Sequence, residues 1–507
     1  MQLSKILENI EYKCIYGNIN VDCIDIQIDH RKINQYSSIF IALPGTKDDG
    51  NNYINKAIEN GASVIISQQD NYSKCNNKVI TYIIIENILL NSAFVIRNFF
   101  CNPSERIKII AAVGTSGKTS LVNILFQMFR NMNQNVGLIS SLTNNINDEV
   151  ETAWMTTPSC LDINRYLSRM IEQNCKYCFM EATSHAIVQH RLDGIKISMA
   201  IFLNISDNEH LDYHKTFQNY INAKQQLFNT LPKDSVILYN LDDKHSQYMI
   251  QNSKARKYSC SVKQVADFYV TPEYSLEGSF IKLYDKKNNV EFYSLLIGES
   301  NAYNVLFAYT VAHLLGYNSN DIMVALSLVK PIPGRMNIYH YKDYKLTGII
   351  DYAHTPVAFE TVLSSIVDIT KNYRKNIIVV FGCGGERDKS KRGIMTKIAY
   401  KYCDWVILTE DNPRSENVED ILKDMISLCS KEELQNIRII KNREEAIKFA
   451  IQLSKPNDII VLLGKGVDNY QDEGNKKYYF SDQKTLEDNL HIMHSRMFNK
   501  GDDTFIK

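Results

Sequence analysis

Gly114-Thr115-Ser116-Gly117-Lys118-Thr119-Ser120 is the stretch whose residue types and spacing could do chemistry. The apolar residues 109–113 read as a strand before it, and 121–126 continue it as a helix. Loop N–H groups and a helix N-terminus then point at one place and favour an anion there. In such a cradle Lys118 reaches terminal phosphates and the Thr119 hydroxyl can ligate Mg²⁺. The spacing G-x-x-G-K-T is shorter than G-x-x-x-x-G-K-[ST], so the strand–loop–helix context carries the expectation of a nucleoside triphosphate. Glu181 closes the apolar run 177–181. By itself it is a solvated strand end; downstream of a phosphate loop it suits Mg²⁺.

Other pairs invite chemistry and fail on spacing. His210 and His214 stand four apart, but no glutamate follows the first, so H-E-x-x-H is absent. Cys175-x-x-Cys178 has no partner pair at finger spacing and reads as strand packing. Lys224, taken alone, is an exposed lysine on a helix over 216–231.

Bulk properties narrow the class. A chain of 507 residues has room for about three domains. Its 57 basic and 57 acidic residues balance, leaving no field that favours nucleic acid or a membrane. No apolar run approaches the ~18–20 residues of a spanning helix, and residues 1–9 read as a short amphipathic helix, not a signal peptide. Eleven scattered cysteines fit free thiols in a reducing cytoplasm.

The elements that position these residues alternate strand and helix. Residues 1–105 hold strand-like runs at 21–28, 39–43, 62–67 and 82–85 and helical stretches at 53–60 and 89–100. Cys101-Asn102-Pro103-Ser104-Glu105 is a break suited to a linker. Residues 106–333 carry the loop, strands at 136–140, 177–181 and 199–205, a polar segment, and a helix over 161–172 opened by Met155-Thr156-Thr157-Pro158. Short strands and a hairpin around Lys286-Lys287-Asn288-Asn289 precede a helix over 305–315. Beyond the break Pro331-Ile332-Pro333-Gly334-Arg335, strands at 348–352, 377–381, 405–409, 437–440 and 459–463 alternate with helices and predict a mostly parallel sheet. Polar loops at 351–356, 382–388, 410–414 and 464–468 follow its strands, where such sheets place ligands. The predicted fold is α/β in three domains: a small N-terminal α/β domain (1–105), a central P-loop ATPase-like domain (106–333) and a C-terminal Rossmann-like α/β domain (334–507).

G-T-S-G-K-T, the run Glu181–His185, E-H-L-D-Y-H, N-A-Y-N, G-R, D-Y-A-H-T-P and D-N-P-R stand in this order along the chain. This order resembles the Mur ligases, closest to the UDP-N-acetylmuramoyl-tripeptide synthetase branch that adds the third residue of the peptidoglycan stem peptide. The resemblance covers nearly the whole chain, including Gly45, Asp49-Gly50 and Gly61-Ala62. It implies ATP-dependent amide formation. A D-glutamyl carboxylate attacks the γ-phosphate, and an amine displaces phosphate from the resulting acyl phosphate. It implies ATP and Mg²⁺ as cofactors, UDP-N-acetylmuramoyl-dipeptide and a free amino acid as partners, no nucleic acid or membrane partner, a monomer, a cytoplasmic location, and domain closure over ATP.

By the same resemblance, Gly114, Thr115, Ser116, Gly117, Lys118, Thr119, Ser120, Asn301, Asn304, Arg335 and Asp351 belong to ATP. Thr119, Glu181 and His210 belong to metal. Lys118, Lys224 and His210 are catalytic, with Lys224 matching a lysine that is carbamylated in the family. A free lysine repels Mg²⁺, whereas its carbamate is an anion. On residues alone, Asn301 and Asn304 read as a helix cap. Thr156, Thr157, Thr183, Gln189 and Arg191 match positions that grip the UDP-sugar dipeptide. There are two departures. Asp29-His30-Arg31 stands where Asp-Ser-Arg is usual, with His30 at the uridine-sugar contact. The run from Asn204 to His210 is one residue longer than usual and has Glu209 in place of Asp.

The resemblance assigns the incoming amino acid to Arg387, Asp411, Asn412, Pro413, Arg414, Gly464 and Asp468. Arg414 suits the distal carboxylate of meso-diaminopimelate, which lysine lacks, while Val467-Asp468 looks more like lysine-adding enzymes. Diaminopimelate is favoured, with L-lysine or another diamino acid next. The alternatives are a neighbouring Mur ligase or folylpolyglutamate synthetase, a paralogue making a different ATP-dependent amide bond and, from another class, a GTPase-like switch. The T-T-P and D-N-P-R blocks oppose the first two, and the absence of N-K-x-D opposes the switch.

Overall fold

The computed structural model describes residues 1–45, 48–76, 80–206, 211–285, 289–371, 375–474 and 476–501. It divides into two compact units, Met1–Phe268 and Tyr269–Lys507. The expected α/β class holds in both.

The first unit contains two sheets. The N-terminal one has the strand order Cys14–Tyr16, Thr81–Ile84, Ala62–Ser67, Ser38–Ile41, Asp25–Gln27. All its pairs are parallel except that of the edge strand Cys14–Tyr16. Its inner strands are buried along nearly their whole length, which is why they read as continuous apolar runs without alternation. The expected strand over 21–28 shortens to Asp25–Gln27, and the N-terminal helix to Leu3–Ile6.

The second sheet is centred on Lys108–Val113, with Tyr177–Glu181 on one side and Ile197–Phe202 on the other, all parallel. Glu181 lies opposite Ala112, and Phe202 opposite Val113. Three strands therefore end on one edge, and the loops that leave them gather there. The helix Lys118–Asn131 begins at Gly117, whose φ of +85° suits a residue without Cβ. It buries Leu121, Leu125, Met128 and Phe129, with Phe129 edge-on to Tyr177.

The polar segment after 140 forms a hairpin: Thr143–Ile146 pairs antiparallel with Glu149–Thr152. Its buried face is Asn144 and Ile146, so a period-two pattern exists but is half polar. Asn147, at φ +53°, makes the turn. The presumed linker is a packed 3₁₀ turn, Pro103–Glu105, with Pro103 and Ser104 buried; Ser104 Oγ accepts the N–H of Lys196 at 3.1 Å. Among the described residues, no cysteine is joined in a disulfide. Cys178 is buried in its strand and Cys175 just before it, and burial pushes the Cys175 thiol up to about 11. Both are packing residues.

In the second unit the sheet order is Asn337–Tyr341, Leu346–Asp351, Ile459–Leu463, Ile377–Phe381, Trp405–Leu408, Ile437–Ile439. Only the edge strand Asn337–Tyr341 is antiparallel. Ser279–Asp285 and Asn289–Ser294 pair antiparallel as expected, although the turn residues 286–288 lie outside the described residues. At the end of the strand Ile459–Leu463, Arg443, which forms a buried pair with Asp482 at 2.6 Å, also donates to Leu463 O at 3.0 Å. That contact anchors the strand end just before Gly464. Among the described residues, no helix is long and apolar enough to cross a membrane.

Candidate active site

The phosphate-type loop is held by groups far from it in sequence. Asn204 Oδ1 accepts the N–H groups of Thr115 and Ser116 at 3.2 and 2.9 Å, and Asn204 O also accepts from Thr115 N. Thr115 Oγ1 bonds the Tyr220 hydroxyl at 2.9 Å and accepts from Ser206 N at 3.1 Å. A Cβ at Gly114 would come within 2.9 Å of Leu203 Cβ, so only glycine lets the loop lie this close. Lys118 Nζ donates to Gly114 O and Thr115 O at 2.9 and 2.8 Å.

Lys224 is not the exposed helix lysine that it reads as when taken alone. It is 1% exposed, its Nζ donates to Gly114 O at 2.6 Å, and it lies 4.8 Å from the Tyr220 ring centroid. A surface lysine has no such setting, since burying an ammonium is costly without compensating partners. The helix Phe217–Thr230 turns this residue inward with Tyr220 and Ile221.

Glu181 is buried beside the loop. Its Oε2 accepts from Thr119 Oγ1 at 3.0 Å and its Oε1 from Ser141 N at 2.8 Å; Thr119 Oγ1 also meets Ser141 Oγ at 2.9 Å. A carboxylate beside two hydroxyls is a hard oxygen donor set and fits Mg²⁺. His210 lies outside the described residues, as do Glu209 and most of the lengthened run. Among the described residues, no cluster of three His, Cys, Asp or Glu side chains has metal-holding geometry.

A second tier surrounds Thr157, whose hydroxyl donates to Glu181 O at 2.8 Å and meets Thr183 Oγ1 at 3.1 Å. Thr183 caps the helix Ser184–Val188. Arg191 donates to Thr157 O at 2.7 Å and bonds Gln189 Oε1, with its pKa drawn down by burial. Thr156 is half-buried. In the N-terminal sheet region, His30 stacks on Tyr53 with ring centroids 4.4 Å apart, while Asp29 and Arg31 pair with each other.

The second unit gathers another set of groups. Asp351 is buried at a strand end, where its carboxylate accepts from Met336 N and Ala353 N, each at 2.7 Å. Burial raises its pKa, and Arg335 opposes the rise. Arg335 stacks over Tyr352 at 4.7 Å. Gly334, at φ +69°, lies so near the 466–467 backbone that a Cβ would come within 2.7 Å of Val467 N. Asn301 and Asn304 are not caps. Gly298 occupies the N-cap, and the two asparagines form an internal chain, Asn304 to Asn301 Oδ1 at 3.1 Å and Asn301 to Ile297 O at 2.9 Å.

Gly464, Asp411 and Asn412 meet around Lys465. This lysine is 1% exposed, donates to Asn412 Oδ1 at 3.0 Å and Tyr470 O at 2.9 Å, and lies 4.0 Å from Asp411 Oδ1. Burial pulls its pKa down against the pull of Asp411. Gly464, at φ +107°, abuts Asp411 Oδ2. Arg414, at φ +54°, donates to Gly385 O, and its N–H reaches Asp472 O at 3.0 Å. Burial and Asp411 raise the Asp468 pKa, while Lys465, Arg335 and Arg414 lower it. Arg387 is exposed, and Pro413 is buried.

Comparisons with known proteins give the family of the chain. Residues 113–312 match the Mur ligase middle domain, and 334–466 match the Mur ligase, glutamate ligase domain. The chain belongs to the Mur ligase family. It is an ATP-dependent ligase. It is 38% identical over 490 residues to a Phocaeicola vulgatus protein named UDP-N-acetylmuramoyl-L-alanyl-D-glutamate--2,6-diaminopimelate ligase, covering 96% of this chain and 99% of that one. A Bacteroides fragilis protein of the same name is also 38% identical, with 96% and 99% covered. A solved structure titled with that name superposes with a TM-score of 0.69 at 28% identity, over 97% of this chain and 99% of the other.

Within this Mur ligase, sequence reasoning missed Asn204, Ser141, Tyr220 and Lys465 as organisers of the loops. Lys465 stood inside a ligand-edge loop, so its position was visible and only its burial was not. Nothing local marked Tyr220, because its partner Thr115 is 105 residues away.

Proposed function

We propose that this enzyme joins meso-diaminopimelate to UDP-N-acetylmuramoyl-L-alanyl-D-glutamate at the expense of ATP, in the cytoplasm, as a step of peptidoglycan synthesis. Full-length similarity to relatives named for that reaction carries the reading. In the proposed division of labour, residues 1–105 bind the UDP-sugar, 106–333 bind ATP, and 334–507 bind the amino acid.

The residues supply the parts the chemistry requires. The D-glutamyl carboxylate attacks the γ-phosphorus and ADP leaves, giving an acyl phosphate. The free amino group then adds to the acyl carbon and expels phosphate. Charge gathers on phosphoryl oxygens in the first step, and Lys118, already at the loop, neutralises it. Magnesium held through Thr119 and Glu181 would supply further positive charge at the phosphates. The buried Lys224 ammonium first gives up a proton; the neutral amine then adds CO₂ and releases a second proton, so a cation is replaced by a carbamate anion. Thr157, Thr183, Gln189 and Arg191 orient the dipeptide's oxygens, and Asp351 with Asn301 and Asn304 serves the nucleoside. Arg387 and Arg414 hold the two carboxylates of the amino acid, while Asp468 meets its distal ammonium.

Val467-Asp468 gives L-lysine a specific claim as the second reading, so the test is a panel. Phosphate release is followed with ATP, Mg²⁺, UDP-N-acetylmuramoyl-L-Ala-D-Glu and either meso-diaminopimelate, L-lysine, L-ornithine or lanthionine. Diaminopimelate is expected to turn over best. Turnover with lysine alone would overturn the amino-acid assignment, and no turnover across the panel by a folded, ATP-binding protein would overturn the reaction.

A further inference from the structure

Two loops present the arginines assigned to the amino acid: residues 383–388 carry Arg387, and 410–416 carry Arg414. Neither loop is held by regular secondary structure, and each contains a non-glycine residue in the left-handed region, Glu386 at φ +56° and Arg414 at φ +54°. Such conformations persist only where the surroundings hold them.

One ion cluster holds both loops. Arg392, on the helix Ser390–Tyr402, has a side chain only 1% exposed. Its Nη2 donates to Glu416 Oε2 at 2.7 Å and Gly384 O at 3.3 Å, and its Nη1 to Asp424 Oδ2 at 2.8 Å and Glu416 Oε1 at 3.2 Å. Glu416 also accepts the Glu386 N–H at 3.0 Å and pairs with Lys389 at 2.6 Å. The Arg392–Glu416 pair thus grips the first loop at two backbone groups, on residues 384 and 386. It grips the second through Glu416, whose own N–H closes a turn on Pro413 O at 3.0 Å around Arg414.

We propose that Arg392 and Glu416 are positioning residues for amino-acid selection. They set the spacing of Arg387 and Arg414 without touching the substrate, so discrimination for a second carboxylate resides partly in a buried pair behind the pocket. This positioning role rests on the proposed part of Arg387 and Arg414 in holding the amino acid. Arginine suits the task because its planar fork serves two carboxylates and a carbonyl at once, whereas lysine is a point charge.

The test uses the full-length enzyme with Arg392→Lys, Glu416→Gln and the milder, surface-side Lys389→Ala. KM is measured separately for ATP, the UDP-sugar dipeptide, meso-diaminopimelate and L-lysine. Misplacing the arginines predicts KM for diaminopimelate up about 10- to 100-fold in the first two variants. Lys389→Ala should shift it in the same direction by less, and KM for ATP and the UDP-sugar should stay within about twofold. The ratio of kcat/KM for diaminopimelate over lysine should fall, which a general loss of folded protein does not produce. Parallel changes in every KM, or an unchanged ratio, would overturn the proposal. A wild-type enzyme that uses lysine and not diaminopimelate would overturn the functional reading instead. The selective rise in amino-acid KM, read with lysine, would then still decide the positioning role through Arg387.

Discussion

The carbonyl oxygen of Gly114 accepts a hydrogen bond from Lys224 Nζ at 2.6 Å, across 110 residues of chain. The same oxygen accepts from Lys118 Nζ at 2.9 Å. Two lysines therefore converge on the first carbonyl of the phosphate-type loop, one from the loop's own helix and one from the helix Phe217–Thr230.

On the proposed roles, Lys118 follows the phosphates and Lys224 works as a carbamate. Lys224→Ala is expected to lower kcat by about 10²- to 10³-fold, the range for losing one preorganised charge. Lys224→Arg should not restore it, because a guanidinium stays cationic. Phosphate-release assays beside melting curves check this; an Arg variant as active as wild type would exclude the carbamate.

Glu181 lies 3.0 Å from the Thr119 hydroxyl. Glu181→Gln keeps the shape and removes the charge, so the Mg²⁺ concentration for half-maximal activity should rise about tenfold or more. A chelator should abolish wild-type turnover, and added Mg²⁺ should restore it. A Mg²⁺ titration of both proteins decides the matter, and coincident curves would remove Glu181 from the metal site.

Gly385 faces the carbonyl oxygen of Pro413 so closely that a Cβ would run into it, and its own N–H donates to Asn412 O at 3.0 Å. Gly385→Ala must push the loops 383–388 and 410–416 apart. The expected cost is about 1–3 kcal/mol of stability, as for other overpacking changes, with KM for the amino acid rising more than KM for ATP. Denaturant unfolding and substrate titrations measure the two effects.

Bonds from Arg392 first, then Lys389, draw the Glu416 pKa from 4.5 down to about 2. The unfolded chain therefore binds the proton more readily between those values. The pair's stabilisation is fully present above pH 4.5 and is lost as pH falls towards about 2. The stability gap between wild type and Glu416→Gln should accordingly be widest near neutrality and close in acid. Chemical unfolding across that range is the measurement; a gap independent of pH would place the effect in packing.

The sequence determined the strand–loop–helix at 108–131, the buried parallel strands and the ligand-edge loops. Each depends on neighbours in the chain: apolar runs make strands, and the phosphate-type loop's glycines and Lys-Thr lie within residues 114–119. The short edge strand Asn337–Tyr341 and the hairpin Thr143–Thr152 stayed hidden because their side chains are half-exposed or polar, and apolar pattern is the signal that reveals a strand. Tertiary structure alone decided that Lys224 is buried, that Asn204 clamps the loop, and that Gly298, not Asn301, begins its helix. It also decided that Arg414 and Asp468, which pointed to different amino acids when read separately, share one electrostatic neighbourhood. Burial and charge pairing arise between segments tens to hundreds of residues apart, and local propensity carries no record of which segments will meet.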